Sequence, residues 1–417
     1  MLDWSHLDLN AFRSALLSGH GRALLSIRQL GTALDEDAVM AACLSCGTHN
    51  WQLEGHRAEW LWTLLGEAGL RDAMLDPIFA RIPYTTRVED TDQICALALL
   101  AARAGHPQAE QHIRAALRHQ PDPDQGLVAA SQLVKLQGVQ GLVTVAREVG
   151  QRLLDGDSRY RDGVGMWLME AEDLLGAATV EEVLDRVGAI DERVAAVVAS
   201  WQYEEEPGTD ALHTDVFTAA PSPTERETLV GTVRSAALAL ADGRDSPVPP
   251  TVLARALARL ARHGLSELDP LWVALDAHPD AEVRRQLSRL LAWHTHEGLR
   301  ALALAGPLGH PDRLRLLVNN FERGDEKSII AALDPTLEPR LRHDVGDLLL
   351  RLTTRHPTTD WSPALLHIYR HAPSSLHRED ALARLVDAQQ APAWIIAEAC
   401  WDAHPAVAAI AQEVMFA

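Results

Sequence analysis

Cys43 and Cys46 stand three residues apart, His49 follows three further on, and His56 lies seven beyond that. Two thiolates on one helical face plus an imidazole could supply three zinc ligands. The spacing matches no zinc finger or ribbon, however, and no second cysteine pair accompanies it. A buried cysteine also packs as a small hydrophobe. With only Cys95 and Cys400 besides, the chain has no disulfide framework. The expectation is structural packing, with no metal and no cofactor, and Cys43, Cys46 and His49 as the candidate set if a metal is held.

Three further groups could recognise a partner. The segment from Trp51 to Trp62 concentrates aromatics and charge. Trp60, Leu61, Leu64 and Leu65 form a core stripe, whereas Trp62 falls off it between Ala58 and Gly66, a groove for a neighbouring helix. Read as an exposed patch, Glu54, Arg57 and Trp62 would anchor a protein, since Trp and Arg dominate interface hot spots. Glu204, Glu205 and Glu206 read as a solvated loop or as a docking point for a basic partner. Arg255, Arg259, Arg262, Arg284, Arg285 and Arg289 could line a basic groove, with Trp272 or Trp293 for stacking. Yet residues 252–300 hold seven Arg against six acids, the balance of a solvated face.

Catalytic patterns are missing. His294-Thr295-His296-Glu297 is not the arrangement that places two metal ligands on one helical face. No phosphate loop, dinucleotide fingerprint or nucleophile elbow occurs. The expectation is a protein that is not an enzyme.

The elements that carry these residues are helices. Hydrophobic residues make up 47% of the 417, enough to fold. Most are Ala, Leu and Val, and apolar positions recur at helical spacing with no sustained alternation. One stripe runs Val252, Leu253, Ala256, Leu257, Leu260; another Val283, Leu287, Leu290, Leu291; a third Leu341, Val345, Leu348, Leu349, Leu352. Arginines occupy the opposite faces. Each helix needs neighbours along one side only. His-Pro dipeptides at 106–107, 278–279, 310–311, 356–357 and 404–405 break the patterns.

The segment Pro279-Asp280-Ala281-Glu282-Val283-Arg284 resembles the HEAT repeat, whose second helix begins Asp-x-x-Val-Arg after a proline-bearing turn. The match is best over residues 250–320 and has weaker echoes at Asp191–Val194, His310–Arg315 and His404–Val407. The resemblance implies an all-α, HEAT-like α-solenoid of antiparallel helix pairs whose concave face binds. Some HEAT-like proteins bind or repair DNA, which gives the Arg stripes their alternative reading.

Net charge is −20. Residues 1–210 carry 32 acids and 17 bases; residues 211–417 carry 26 and 21. Such a field repels a polyanion at long range and favours a basic protein. A polar, Pro-bearing seam divides an acidic array, residues 1–203, from a near-neutral one, 224–417, across a 204–223 loop; one continuous solenoid is the alternative. The start, MLDWSHLDLN, resembles no signal peptide, and no stretch approaches the ~18 apolar residues of a membrane span. A reducing, bacterial cytoplasm is therefore expected, the near-absence of lysine pointing to a GC-rich genome. The function expected is a non-catalytic protein-binding scaffold; the alternative is a nucleic-acid-binding or DNA-repair protein using Arg255, Arg259 and Arg284.

Overall fold

A computed structural model describes residues 8–30, 35–47, 57–120, 122–204, 220–264 and 267–416. The protein is all-α, 75% helical, with no strand among the described residues. Of the residues singled out above, His49, Trp51, Glu54, His56, Glu205 and Glu206 lie outside the described ones, as does the side chain of Glu204.

Contacts divide the chain into two compact units, Met1–Ala211 with Pro392–Ala417, and Leu212–Ala391. The first contains α1 (Leu9–Ser18), α2 (Gly21–Leu30), α3 (Glu36–Leu44), α4 (Arg57–Glu67), α5 (Arg71–Phe79) and α6 (Val88–Arg103). It continues with α7 (Ala109–His119), α8 (Pro123–Gln137), α9 (Val139–Leu154), α10 (Arg161–Leu175), α11 (Ala177–Gly188) and α12 (Glu192–Glu204). The second unit contains α13 (Pro223–Ala241), α14 (Pro250–His263), α15 (Ala281–Leu291), α16 (Glu297–Leu304) and α17 (Pro311–Leu317). It ends with α18 (Asp325–Ala331), α19 (Pro339–Arg355), α20 (Ser362–His371) and α21 (Ser375–Asp387). The chain then returns to the first unit with α22 (Ala393–Ala399) and α23 (Pro405–Phe416).

Helix starts follow local chemistry. Asp280 accepts the amides of Glu282 (2.8 Å) and Val283 (3.2 Å), so α15 begins where a free first-turn donor finds a carboxylate. Val283, Leu287, Leu290 and Leu291 are then buried. Histidines also cap helix starts. His296 and His310 accept amides of the following turn, at 3.0 and 3.3 Å, through Nδ1. Val252 departs from its stripe: it lies in the first turn of α14 and is exposed, whereas Leu253, Leu257 and Leu260 are buried.

In the first unit, contacts link α2 to α4, α4 to α6, α6 to α8, α8 to α10 and α10 to α12. A second set links α1 to α3, α3 to α5, α7 to α9 and α9 to α11. Consecutive helices join the two sets. Gly150 shows how close they come: a Cβ there would overlap the Arg193 carbonyl of α12. In the second unit, α14, α15, α17, α19 and α21 follow one another in the same manner.

The last helices close onto the first. Ala403 donates its amide to the Gly19 carbonyl at 2.8 Å. The Trp60 indole donates to the Trp401 carbonyl at 2.8 Å, and the Arg28 guanidinium lies 3.8 Å over the Trp401 ring. Beneath them, the buried Glu398 meets Arg22 at 3.0 Å and His20 at 3.3 Å. No described helix is long and apolar enough to cross a membrane.

Candidate functional site: an acidic cavity on alternate helices

The row α4, α6, α8 and α10 encloses a cavity of about 850 Å³. Its floor is apolar, made by the buried Leu99, Leu127 and Trp167. Five carboxylates line it: Glu59 from α4, Glu89 and Asp92 from α6, Asp124 from α8 and Glu170 from α10. Only Arg103 and Lys135 oppose them. Glu59, Asp124 and Glu170 are exposed on the rim, as is Met166, a side chain that repacks easily around different shapes.

Asp92 sits deepest in charge terms. Its carboxylate accepts the Gln132 amide at 3.0 Å, and Gln132 is buried on α8. Burial pushes the Asp92 carboxyl above its ordinary range; the Gln132 hydrogen bond and Lys135 oppose this, while Glu170 and Glu59 add to it. An acid raised in this way is stabilised by an arriving cation. Glu89 is held low instead: burial raises its carboxyl, but the hydrogen bond of its own backbone amide and then the Arg87 guanidinium outweigh that. The Trp167 indole N–H, 2% exposed, has no acceptor among the described residues. With anionic walls over an apolar floor, the arrangement suits an amine or guanidinium on an aliphatic stem.

The residues singled out from the sequence fall elsewhere. Arg57 is 3% exposed and belongs to the interior: it donates to Gln93 Oε1 at 2.9 Å and to the Leu16 carbonyl at 2.7 Å. Trp62 is half-buried under the Arg71 guanidinium, 4.2 Å above its ring, and Arg71 also holds the Trp62 carbonyl. That arginine fills the space beside Gly66 that a neighbouring helix was expected to take.

Cys43 and Cys46 are both buried, and burial pushes the Cys43 thiol up to about 12 although Arg57 opposes it. Among the described residues no three His, Cys, Asp or Glu are grouped to hold a metal.

The arginines of the stripes differ in their partners. Arg255 is exposed, Arg259 pairs with Glu225 at 2.5 Å, and Arg284 donates to the carbonyls of His278 (2.6 Å) and Pro279 (2.9 Å). Trp272 is buried, so of the two stacking candidates only Trp293 reaches solvent.

The acidic cavity itself had a partial signal, the excess of carboxylates in the first half. Which of them would meet depended on how the four helices are rotated. Comparison of the chain with protein-family models, with curated proteins and with solved structures finds no match in any of the three.

Proposed function

We propose that the chain is a HEAT-like helical-repeat scaffold, built of antiparallel pairs, that grips a protein partner through the cavity of α4, α6, α8 and α10. The cavity is the observation that carries this reading: a lining of five carboxylates against two cations over an apolar floor. The occupant it fits is a Lys- or Arg-bearing segment, whose stems cover Leu99 and Leu127 while the cationic heads meet Asp92, Glu59 and Glu170. The contact of next-but-one helices supports the repeat architecture, because stacked pairs give two such rows. Arg259 and Arg284 are already engaged by Glu225 and by the His278 and Pro279 carbonyls, which weighs against the DNA-repair alternative.

A Lys/Arg-rich peptide labelled with a fluorophore tests the cavity directly. Binding should weaken as salt rises and fall about a hundred-fold in the Glu59→Lys/Glu170→Lys chain, at roughly ten-fold per reversed charge. Equal affinity in both chains would remove the proposal. A partner captured from cell extract must show the same loss with that variant.

A further inference from the structure

The second unit has a concavity of the opposite sign, about 580 Å³ between α14, α15, α17 and α19. Five arginines line it: Arg262, Arg289, Arg315, Arg351 and Arg355. Asp344 and Asp347 are the acids among its lining residues. Three small side chains, Ala258, Ala261 and Ala292, leave room at its wall. Trp293 stands beside it with 66% of its surface exposed.

Three of these arginines, Arg289, Arg351 and Arg355, are poorly neutralised. Arg289 has no ion-pair or hydrogen-bond partner among the described residues, and Arg351 reaches Asp347 only at 3.9 Å. Arg355 is engaged by the neutral side chain of Asn319. Arg315 donates to Ser288 Oγ at 3.1 Å and to Asp312 at 3.2 Å. Its guanidinium is held below the usual range by burial first, with Arg289 and Arg351 adding to the effect and Asp312 and Asp344 opposing it. Like charges gathered on one wall cost free energy that a multivalent anion recovers.

The occupant must be compact and anionic, because Arg289 and Arg355 form no ion pair among the described residues and Arg351 holds Asp347 only loosely, while Asp312 already pairs with Arg315. Guanidinium forks match phosphate oxygens in pairs, which a lysine cluster would not do. The solvent-facing indole at the edge supplies a flat apolar surface that a bare polyphosphate would leave unused and a base would cover.

We propose that this groove binds a nucleoside triphosphate, its phosphates on Arg289, Arg315 and Arg351 and its base stacked on Trp293. The assignment is independent of the acidic cavity, which lies in the other unit.

Calorimetric titration of the full chain with ATP, in EDTA at about 0.15 M salt, tests it. Tripolyphosphate, oligo-dT and poly-glutamate are titrated beside it. The expected result is saturable ATP binding that the Arg289→Ala/Arg351→Ala pair weakens at least ten-fold. Trp293→Ala should weaken ATP binding and leave tripolyphosphate binding unchanged. Far-UV circular dichroism establishes that each variant folds. If the alanine pair does not, Arg289→Lys/Arg351→Lys replaces it, keeping the charge and losing the fork, with the same direction of change expected. No ATP binding, ATP binding unaffected by either set, or oligo-dT or poly-glutamate binding where ATP does not, would overturn the assignment.

Discussion

Gln93 ties three helices of the first unit together through one side chain, and its removal has a magnitude that the geometry sets. Helix α3 ends at Leu44, so the carbonyls of Ala42 and Cys43 have no amide four residues on within the helix. The Gln93 amide reaches from α6 and donates to both, at 3.0 and 2.8 Å. Its oxygen accepts Arg57 Nε of α4 at 2.9 Å. Gln93→Met keeps the volume and removes all three hydrogen bonds, with Gln93 only 4% exposed. Each orphaned buried group costs about 1–3 kcal/mol, and the charged one sits at the upper end. Shared relaxation makes the three less than additive, so a loss of about 3–5 kcal/mol is expected. Urea unfolding followed by circular dichroism reads it as a lower midpoint for the transition of the first unit. Gln93→Glu should fall between, because it returns an acceptor to Arg57 and no donor to the carbonyls. A loss below about 1 kcal/mol for Gln93→Met would refute the view that this amide holds the end of α3.

Asp92→Asn probes the cavity by pH. The wild-type carboxyl titrates above its ordinary 3.8 because it is buried, so its ionised form opposes folding at neutral pH. Wild type therefore gains stability as pH falls through the raised value toward the unfolded one. The asparagine chain, which cannot ionise, should be the more stable at pH 7 and lose that advantage near pH 4; thermal melts at the two values check the sign. Gly150→Ala inserts a methyl group where α12 presents the Arg193 carbonyl, and should destabilise by about 1–3 kcal/mol in the same urea assay.

Much of the helical architecture was readable in the residue order because its causes are local. Asp280 before Val283 starts α15 through two short hydrogen bonds, and the apolar stripes of α15 and α19 bury the side chains that their spacing picks out, except Leu341 in the first turn of α19, which is half-buried. Residues that meet across the fold were not readable in this way. Glu59 and Glu170 share a cavity from positions more than a hundred apart, and helical spacing tells which face a residue takes, not which helix it will face. The arginines show the same limit at short range. Arg255, Arg259 and Arg262 sit on one helix at successive turns, yet of these only Arg262 reaches the basic groove. Arg57 reads as a surface charge beside tryptophans, and only the approach of Gln93 and the Leu16 carbonyl makes its burial tolerable. The bond from Trp60 to Trp401 joins residues 341 positions apart, a separation for which no motif exists.

That last contact bears on how the protein is made. The second unit, Leu212–Ala391, is a continuous stretch of chain, while the first is interrupted by it and resumes at Pro392. On a ribosome that adds about 5–20 residues per second, the later-encoded unit has all its residues while the earlier one still lacks α22 and α23. Until they emerge, Gly19, Arg28 and Trp60 have no Ala403 or Trp401 to meet, and His20 and Arg22 have no Glu398. The nascent chain must therefore leave α1, α2 and α4 without these partners until the whole second unit has been made, and helices translated after that unit complete helices translated before it.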